Sequence, residues 1–585
     1  MPSAAPADSP YLGGSLFCIA STAAEKRISL WFSVRPETAV DPLFCRDDTP
    51  HAIRVVTPMR RIRAGRPCVR SVPIRIRPKV NIPGKEISLI SLRETLGPFP
   101  CVGGGDIVAS RFCCDSRKVR PGDVFIAVRG ATHDGHLYIE RAVSAGASAV
   151  VTERPHPQIS VPQCIVPDSR TAFAQICMAL QGRPEKSLTV AGITGTNGKT
   201  TSAWLLRSVL EAAGLTTGLL GTIEYSDGRS GEEAGLTTPD AEQLAQLFDR
   251  MVRAQASHCV MEVSSHALDQ RRCSGVSLSV AAMTNITQDH FDYHGNSDRY
   301  RTAKALIAGL LQPQAPLLVG IDDAGCRAAI SLLPADTRVV TFGFGPQAQI
   351  RAEILTCADG VQDLRLTLLS CVIRIRSPLV GRHNVLNMLT AAAMAEQLGV
   401  DADAIRDGLQ RVAYVPGRME RIDAGQPFKV FVDYAHTPDG LAQCLITARG
   451  LTAGRVILVF GAGGDRDRSK RPLMAQATEG ADAIFVTSDN PRSEDPRRII
   501  DEICGGYAST AHVRTSVDRL IAIRDAVMLA APGDVVMIAG RGHETTQLIG
   551  DRHIGFDDRK VTRRLLCEFM RQPTTHRPAT TKTEN

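Results

Sequence analysis

Residues Ser187–Ala213, SLTVAGITGTNGKTTSAWLLRSVLEAA, run from an apolar strand through a glycine-rich loop into a helix. Backbone N–H groups of such a loop, together with the helix N-terminus, cradle phosphates. Lys199 is spaced to reach β- and γ-phosphates, and the Thr200 hydroxyl to coordinate Mg²⁺. The loop departs from the strict Walker spacing, because Ile193 stands five positions before Gly198 and the nearer glycine is Gly195. A plain glycine-rich turn is the alternative, but GKT between a strand and a helix favours a nucleotide site. Its expected contacts are Gly195, Thr196, Asn197, Gly198, Lys199, Thr200 and Thr201.

On either side of this loop the chain changes texture. Residues 86–185 read as a small α/β region that includes the strand GDVFIAVRG, and residues 186–415 as the region carrying the loop. From about Pro416 to the end at residue 585 one unit recurs: an apolar strand, a polar or glycine-rich loop, then a helix. The strands are KVFVDY, RVILVFG, AIFVTS and DVVMIAG. Strands alternating with helices predict an α/β protein with mostly parallel, doubly wound sheets. Three domains are expected, the central one P-loop ATPase-like and the C-terminal one Rossmann-like. Residues 1–85 differ, with Arg-rich, Pro-broken stretches such as RRIRAGRPCVRSVPIRIRP (Arg60–Pro78) and no sustained periodicity. A transit peptide and a disordered extension both fit this composition; Asp41, Asp47 and Asp48 favour the extension.

The 585 residues are 43% hydrophobic and 22% charged, enough to bury ordinary cores. No apolar run reaches the roughly 18 residues that a membrane span requires. The net charge is +7, but Met1–Lys85 alone holds 14 Lys+Arg against 6 Asp+Glu, a balance of +8 that leaves −1 for the remainder. Basicity is therefore confined to one end and gives no support for nucleic-acid binding by the body, which would need a basic face. The 16 cysteines are scattered without C-x-x-C spacing, which predicts free thiols in the cytoplasm.

Further polar motifs follow predicted strands. MEVSSHALDQRR (Met261–Arg272) follows HCV, placing Glu262 at a strand's carboxyl end, where doubly wound folds keep their chemistry. TNITQDHFDYHG (Thr284–Gly295) follows SLSVAAM. VDYAHTP, GGDRDRSKRP, DNPRSEDP and GRGHE each follow a strand of the third region, so four polar loops converge on one sheet edge.

With GTNGKTT, these motifs resemble the Mur ligases from about Glu86 to Glu568, and DNPR resembles the branch that adds 2,6-diaminopimelate in peptidoglycan synthesis. The resemblance implies a ligase that uses ATP and Mg²⁺ to join an amino acid to a carboxylate through an acyl phosphate. The substrates it implies are UDP-MurNAc-L-Ala-D-Glu and meso-diaminopimelate. It further implies that Thr200, Glu262 and His290 attend the metal together with Lys304, carbamylated to N6-carboxylysine. Carbamylation needs a neutral amine and turns a cation into an oxygen ligand, which Mg²⁺ prefers. Ser116, Thr237, Thr238, Ser264, Gln270 and Arg272 match the nucleotide-sugar dipeptide site. Arg466, Asp489, Asn490, Pro491, Arg492, Gly540 and Glu544 match the diaminopimelate site. There Arg492 suits bidentate capture of the distal carboxylate and Glu544 the distal ammonium. A cytoplasmic monomer with no nucleic-acid partner is expected. Two positions depart from the family: Gly320 stands where Asn is common and His383 where an aromatic is usual, both in elements that flank the adenine in relatives. Lysine-adding and folate polyglutamylating ligases are the nearest rivals, and DNPR and the separate first region argue against both.

Overall fold

The computed structural model describes residues 79–82, 85–130, 133–358 and 360–571. Most of the extension expected to be disordered lies outside the described residues. Its last part does not: Lys79–Ile82 pairs antiparallel with Lys85–Ser88, so the expected boundary at residue 85 falls within a paired strand. The Pro-Gly pair at positions 83 and 84 is a turn signal that a reading by composition passes over.

The phosphate-loop strand, Thr189–Thr194, lies inside an eleven-stranded sheet, between His258–Glu262 and Val280–Met283. All three run parallel, so Gly195, Glu262 and Thr284 emerge at the same sheet edge. The parallel run continues through Pro316–Gly320, Arg338–Gly343 and the start of Ile350–Ala358. Buried residues cover both faces, as a parallel sheet requires. Helices Lys199–Ala212, Arg382–Gln397 and Ala402–Arg411 supply one core, and Ala241–Arg253 contributes to the other.

This sheet is less uniform than strand–helix alternation predicts. Val361–Thr367 returns antiparallel beside Ile350–Ala358, and Val372–Ser377 antiparallel beside Val361–Thr367, without intervening helices. Val372–Ser377 alternates exposed and buried residues, the pattern of a strand covered on one face only. The third region forms a six-stranded sheet, in the order Glu420–Arg421, Lys429–Asp433, Val535–Ala539, Val456–Phe460, Ala483–Thr487, Val513–Ser516. All but the Glu420–Arg421 edge run parallel, as expected. The first region carries a five-stranded sheet in which Phe112–Cys113, Val124–Ile126, Ala149–Thr152 and Gln163–Ile165 run parallel. Among the described residues no helix is long and apolar enough to cross a membrane, and every cysteine is a free thiol.

Candidate active site

The phosphate loop is braced from the neighbouring strand end. Thr196 N–H donates to Asn285 O and Asn197 N–H to Asn285 Oδ1, both at 2.8 Å, while Thr284 Oγ1 donates to Asn197 O at 2.7 Å. Lys199 Nζ donates to Gly195 O and Thr196 O at 2.9 Å. Burial lowers its pKa, although Glu262 and Asp289 pull the other way. Lys304 comes from beneath. It is 1% exposed, lies over the Tyr300 ring at 4.5 Å, and donates to Gly195 O at 2.7 Å. Burial drives its pKa far below that of an ordinary lysine, and Lys199 beside it adds to the shift.

Glu262 is fully buried at the end of its strand. Its Oε2 accepts from the Thr200 and Thr222 hydroxyls at 3.0 Å, and its Oε1 from Thr222 N–H at 2.8 Å. A carboxylate bonded to the phosphate-loop hydroxyl is a hard-oxygen pair of the kind Mg²⁺ takes. No group of three or more His, Cys, Asp or Glu is placed for a metal among the described residues. Mg²⁺ does not require one, because phosphate oxygens and water complete its shell.

Behind Glu262 lies a hydrogen-bonded cluster. Thr238 Oγ1 donates to Glu262 O at 2.9 Å and lies 3.2 Å from Ser264 Oγ. Arg272 Nη1 donates to Thr238 O at 3.0 Å, and its Nε donates to Gln270 Oε1 at 2.9 Å. Thr238, Ser264, Gln270 and Arg272, separated by up to 34 residues in sequence, thus meet at one place. Ser116 is buried in the first region, away from the wall of the main cavity.

Asp289 gathers three basic side chains: His290 Nε2 at 3.3 Å, Lys470 Nζ at 3.4 Å and His436 Nε2 at 3.9 Å. Burial favours its neutral form, but Lys470, His290 and His436 outweigh that and hold the carboxyl well below the usual range. Burial pushes His290 down to about 3, so the imidazole is neutral near pH 7, the form that ligates metals.

The loop residues, Glu262 and Asp289 border one cavity of about 580 Å³, whereas Thr238, Ser264, Gln270 and Arg272 do not line it. Its wall includes Thr196–Thr201, Thr237, Glu262 and His290 from the central region. From the third region come Arg466, Asp489, Asn490, Arg492, Gly540 and Glu544. Gly195, Lys304 and Pro491 support the wall from behind and do not line it. In the third-region part, Asn490 Nδ2 donates to Glu544 Oε2 at 2.8 Å, and Arg492 Nη1 donates to Gly464 O at 2.7 Å. Burial, with Asp489 adding to it, raises the Glu544 carboxyl to about 7. The cavity wall thus carries the glycine-rich loop with Lys199 from the central region, and the Arg492 guanidinium and Glu544 carboxyl from the third.

Three family models match this chain: "Mur ligase family, catalytic domain" over residues 111–179, "Mur ligase middle domain" over 193–395, and "Mur ligase, glutamate ligase domain" over 417–542. The UDP-N-acetylmuramoyl-L-alanyl-D-glutamate--2,6-diaminopimelate ligase of Syntrophomonas wolfei is 43% identical over 459 residues, 77% of this chain and 93% of that protein. The chain belongs to the Mur ligase family. The Geobacillus kaustophilus ligase of the same name is 42% identical, over 82% of this chain and its own full length. A solved structure of a ligase of that name superposes with a TM-score of 0.58 at 30% identity, covering 83% of this chain and all of the other.

The site of this Mur ligase also includes residues that its motifs do not single out. Arg418 Nη2 donates to Thr200 Oγ1 at 3.2 Å, and the guanidinium lies 4.3 Å from the Tyr434 ring centre. Asn197 Nδ2 donates to Asp439 Oδ2 at 2.9 Å, a second tie between the phosphate loop and the third region. Asn384 and Asn387 line the same cavity, as do the unusual Gly320 and His383. Gly417, at φ +62°, abuts Gly542 and His543 so closely that a Cβ would collide with their backbone. The signal for Arg418 was its place in PGR beside the expected boundary at residue 416, a junction easily dismissed as linker.

Proposed function

We propose that this Mur ligase adds meso-2,6-diaminopimelate to the D-Glu of UDP-MurNAc-L-Ala-D-Glu, using ATP, in cytoplasmic peptidoglycan precursor synthesis. Residues 86–185 would take the nucleotide sugar, 186–415 the ATP and 416–585 the amino acid. The observation that carries the reading is that Arg492, Asn490 and Glu544 line the same cavity as the phosphate loop, with Asn490 Nδ2 bonded to the Glu544 carboxyl. A cation and an acid there match an amino acid whose distal end bears both a carboxylate and an ammonium.

The reaction balances in two steps. A D-Glu carboxylate oxygen attacks the γ-phosphorus, the bond to ADP breaks, and an acyl phosphate forms. The diaminopimelate amine then attacks the acyl carbon, phosphate leaves with the C–O electron pair, and the nitrogen loses a proton. Lys199 and the loop N–H groups hold the phosphates, and Arg418 adds charge from the third region. Such positioning and charge neutralisation supply most of the catalysis in phosphoryl transfer. Thr200 and Glu262 would hold Mg²⁺, which neutralises phosphate charge when bound, with His290 lining the same cavity. The buried amine of Lys304 supports carbamylation. Attack of the neutral nitrogen on CO₂ forms an N–C bond and releases a proton. The product is an anion beside Lys199, where the ammonium form meets a like charge.

Specificity tests the reading. With L-lysine bound, Arg492 would lack its partner in a closed site, a loss of about 2–5 kcal/mol or a discrimination of tens- to thousands-fold. Wild-type protein should use meso-diaminopimelate and largely reject lysine. Arg492→Ala should lose most diaminopimelate activity and proportionally less of any lysine reaction. Similar kcat/KM for the two amino acids in the wild type would overturn the assignment.

A further inference from the structure

Just beyond GRGHE, Thr546–Ile549 and Arg552–Gly555 pair antiparallel as a sheet of their own, joined to neither the six-stranded nor the eleven-stranded sheet. A lone two-stranded hairpin is marginal in water, so its partners matter. They are almost all in the DNPR loop. Gln547 Nε2 donates to Asp489 O at 2.5 Å, Leu548 N–H to Asn490 Oδ1 at 2.9 Å, Arg492 N–H to Leu548 O at 3.1 Å, and Gly550 N–H to Arg492 O at 2.8 Å. Arg492 thereby acts as a one-residue third strand opposite Ile549. It does so at φ +52°, a left-handed conformation that an arginine rarely holds without external restraint. The base of the hairpin is anchored as well: the fully buried Arg541 donates through Nη2 to Thr546 O at 2.5 Å and Phe556 O at 3.1 Å.

We infer that this hairpin is the specificity-positioning element of the amino-acid site, and that Gln547 is a positioning residue that acts through Asp489 and Arg492. Gln547 is buried, does not line the cavity, and directs its amide at the main chain of DNPR. Asn490 divides its side chain between the two tasks, with Oδ1 toward the hairpin and Nδ2 toward Glu544. The hairpin therefore sets both charged groups that face the ligand: Arg492 through its backbone, Glu544 through Asn490. The inference rests on the proposed diaminopimelate reaction.

The test is steady-state kinetics on the full chain with ATP, the UDP-MurNAc-dipeptide, and either meso-diaminopimelate or L-lysine. Gln547→Leu should raise KM for diaminopimelate about tenfold and narrow its advantage over lysine, with KM for ATP and for the dipeptide within twofold of wild type. Because Gln547 is buried, a second pair of variants acts from outside. Gly550, at the turn with φ +57°, has open space around its Cβ position. Gly550→Val strains that left-handed turn, whereas Asn tolerates it. Gly550→Val should raise KM for diaminopimelate by about threefold, and Gly550→Asn should remain near wild type. If both Gln547→Leu and Gly550→Val leave that KM unchanged, or move KM for all three substrates together, the inference falls while the wild-type preference for diaminopimelate stands. A wild type that does not prefer diaminopimelate removes the reaction itself, and the inference with it.

Discussion

At the phosphate loop the main chain forms the wall, fixed by Asn285 and Thr284, with two lysines bonded to loop carbonyls. At the DNPR end the wall is made of side chains, the Arg492 guanidinium and the Glu544 carboxyl among them. The first arrangement follows directly from strand–loop–helix geometry and suits a phosphate chain common to many nucleotides. The second depends on which side chains stand on which loop, and so can separate one amino acid from another. A backbone cradle gives dependable binding; a side-chain pocket gives choice.

That contrast can be broken most sharply at Lys199. If the cradle neutralises the transferring phosphate, Lys199→Ala should lower kcat about a thousandfold with either amino acid and leave thermal unfolding nearly unchanged. Normal turnover would show the loop to be structural. A smaller loss, on the order of a hundredfold, is expected for Lys304→Ala if carbamylation operates, with partial recovery on adding a short-chain carboxylate. A variant at wild-type rates would return Lys304 to a purely packing role. Smallest of all is a pH effect confined to the side-chain end. Burial and Asp489 raise Glu544 to about 7, so below that pH it is protonated and must release its proton before pairing with an ammonium. KM for diaminopimelate should rise several-fold as pH falls from about 8 to 6, while KM for ATP stays flat. Glu544→Gln should abolish that slope, and a slope surviving in Glu544→Gln would assign it to another group.

The two ends also differ in how much of them the sequence discloses. Strand periodicity and GKT place the cradle, and the four strand-end loops place the pocket, because both depend on local order. Lys304 is legible only through the family resemblance: a helical lysine is ordinarily solvated, and periodicity gives no hint of its packing over Tyr300 and its bond to Gly195 O. Thr238 and Arg272 meet through a fold that separates them by 34 residues. The hairpin after GRGHE reads as a loop because its strands are short and its partners lie in DNPR, more than 50 residues earlier. The antiparallel strands closing the central sheet carry legible alternation in VIRIRS, which the expectation of strand–helix units masks.

The contact at Gly417 has a consequence for how closely two parts of the cavity wall can stand. This residue adjoins Arg418, which reaches the phosphate loop, and it touches the backbone of the GRGHE segment that carries Glu544. With no room for even a methyl group between the two segments, neither can shift without displacing the other. The junction thus works as a spacer: any side chain at position 417 would have to prise the segment bearing Arg418 away from the one bearing Glu544.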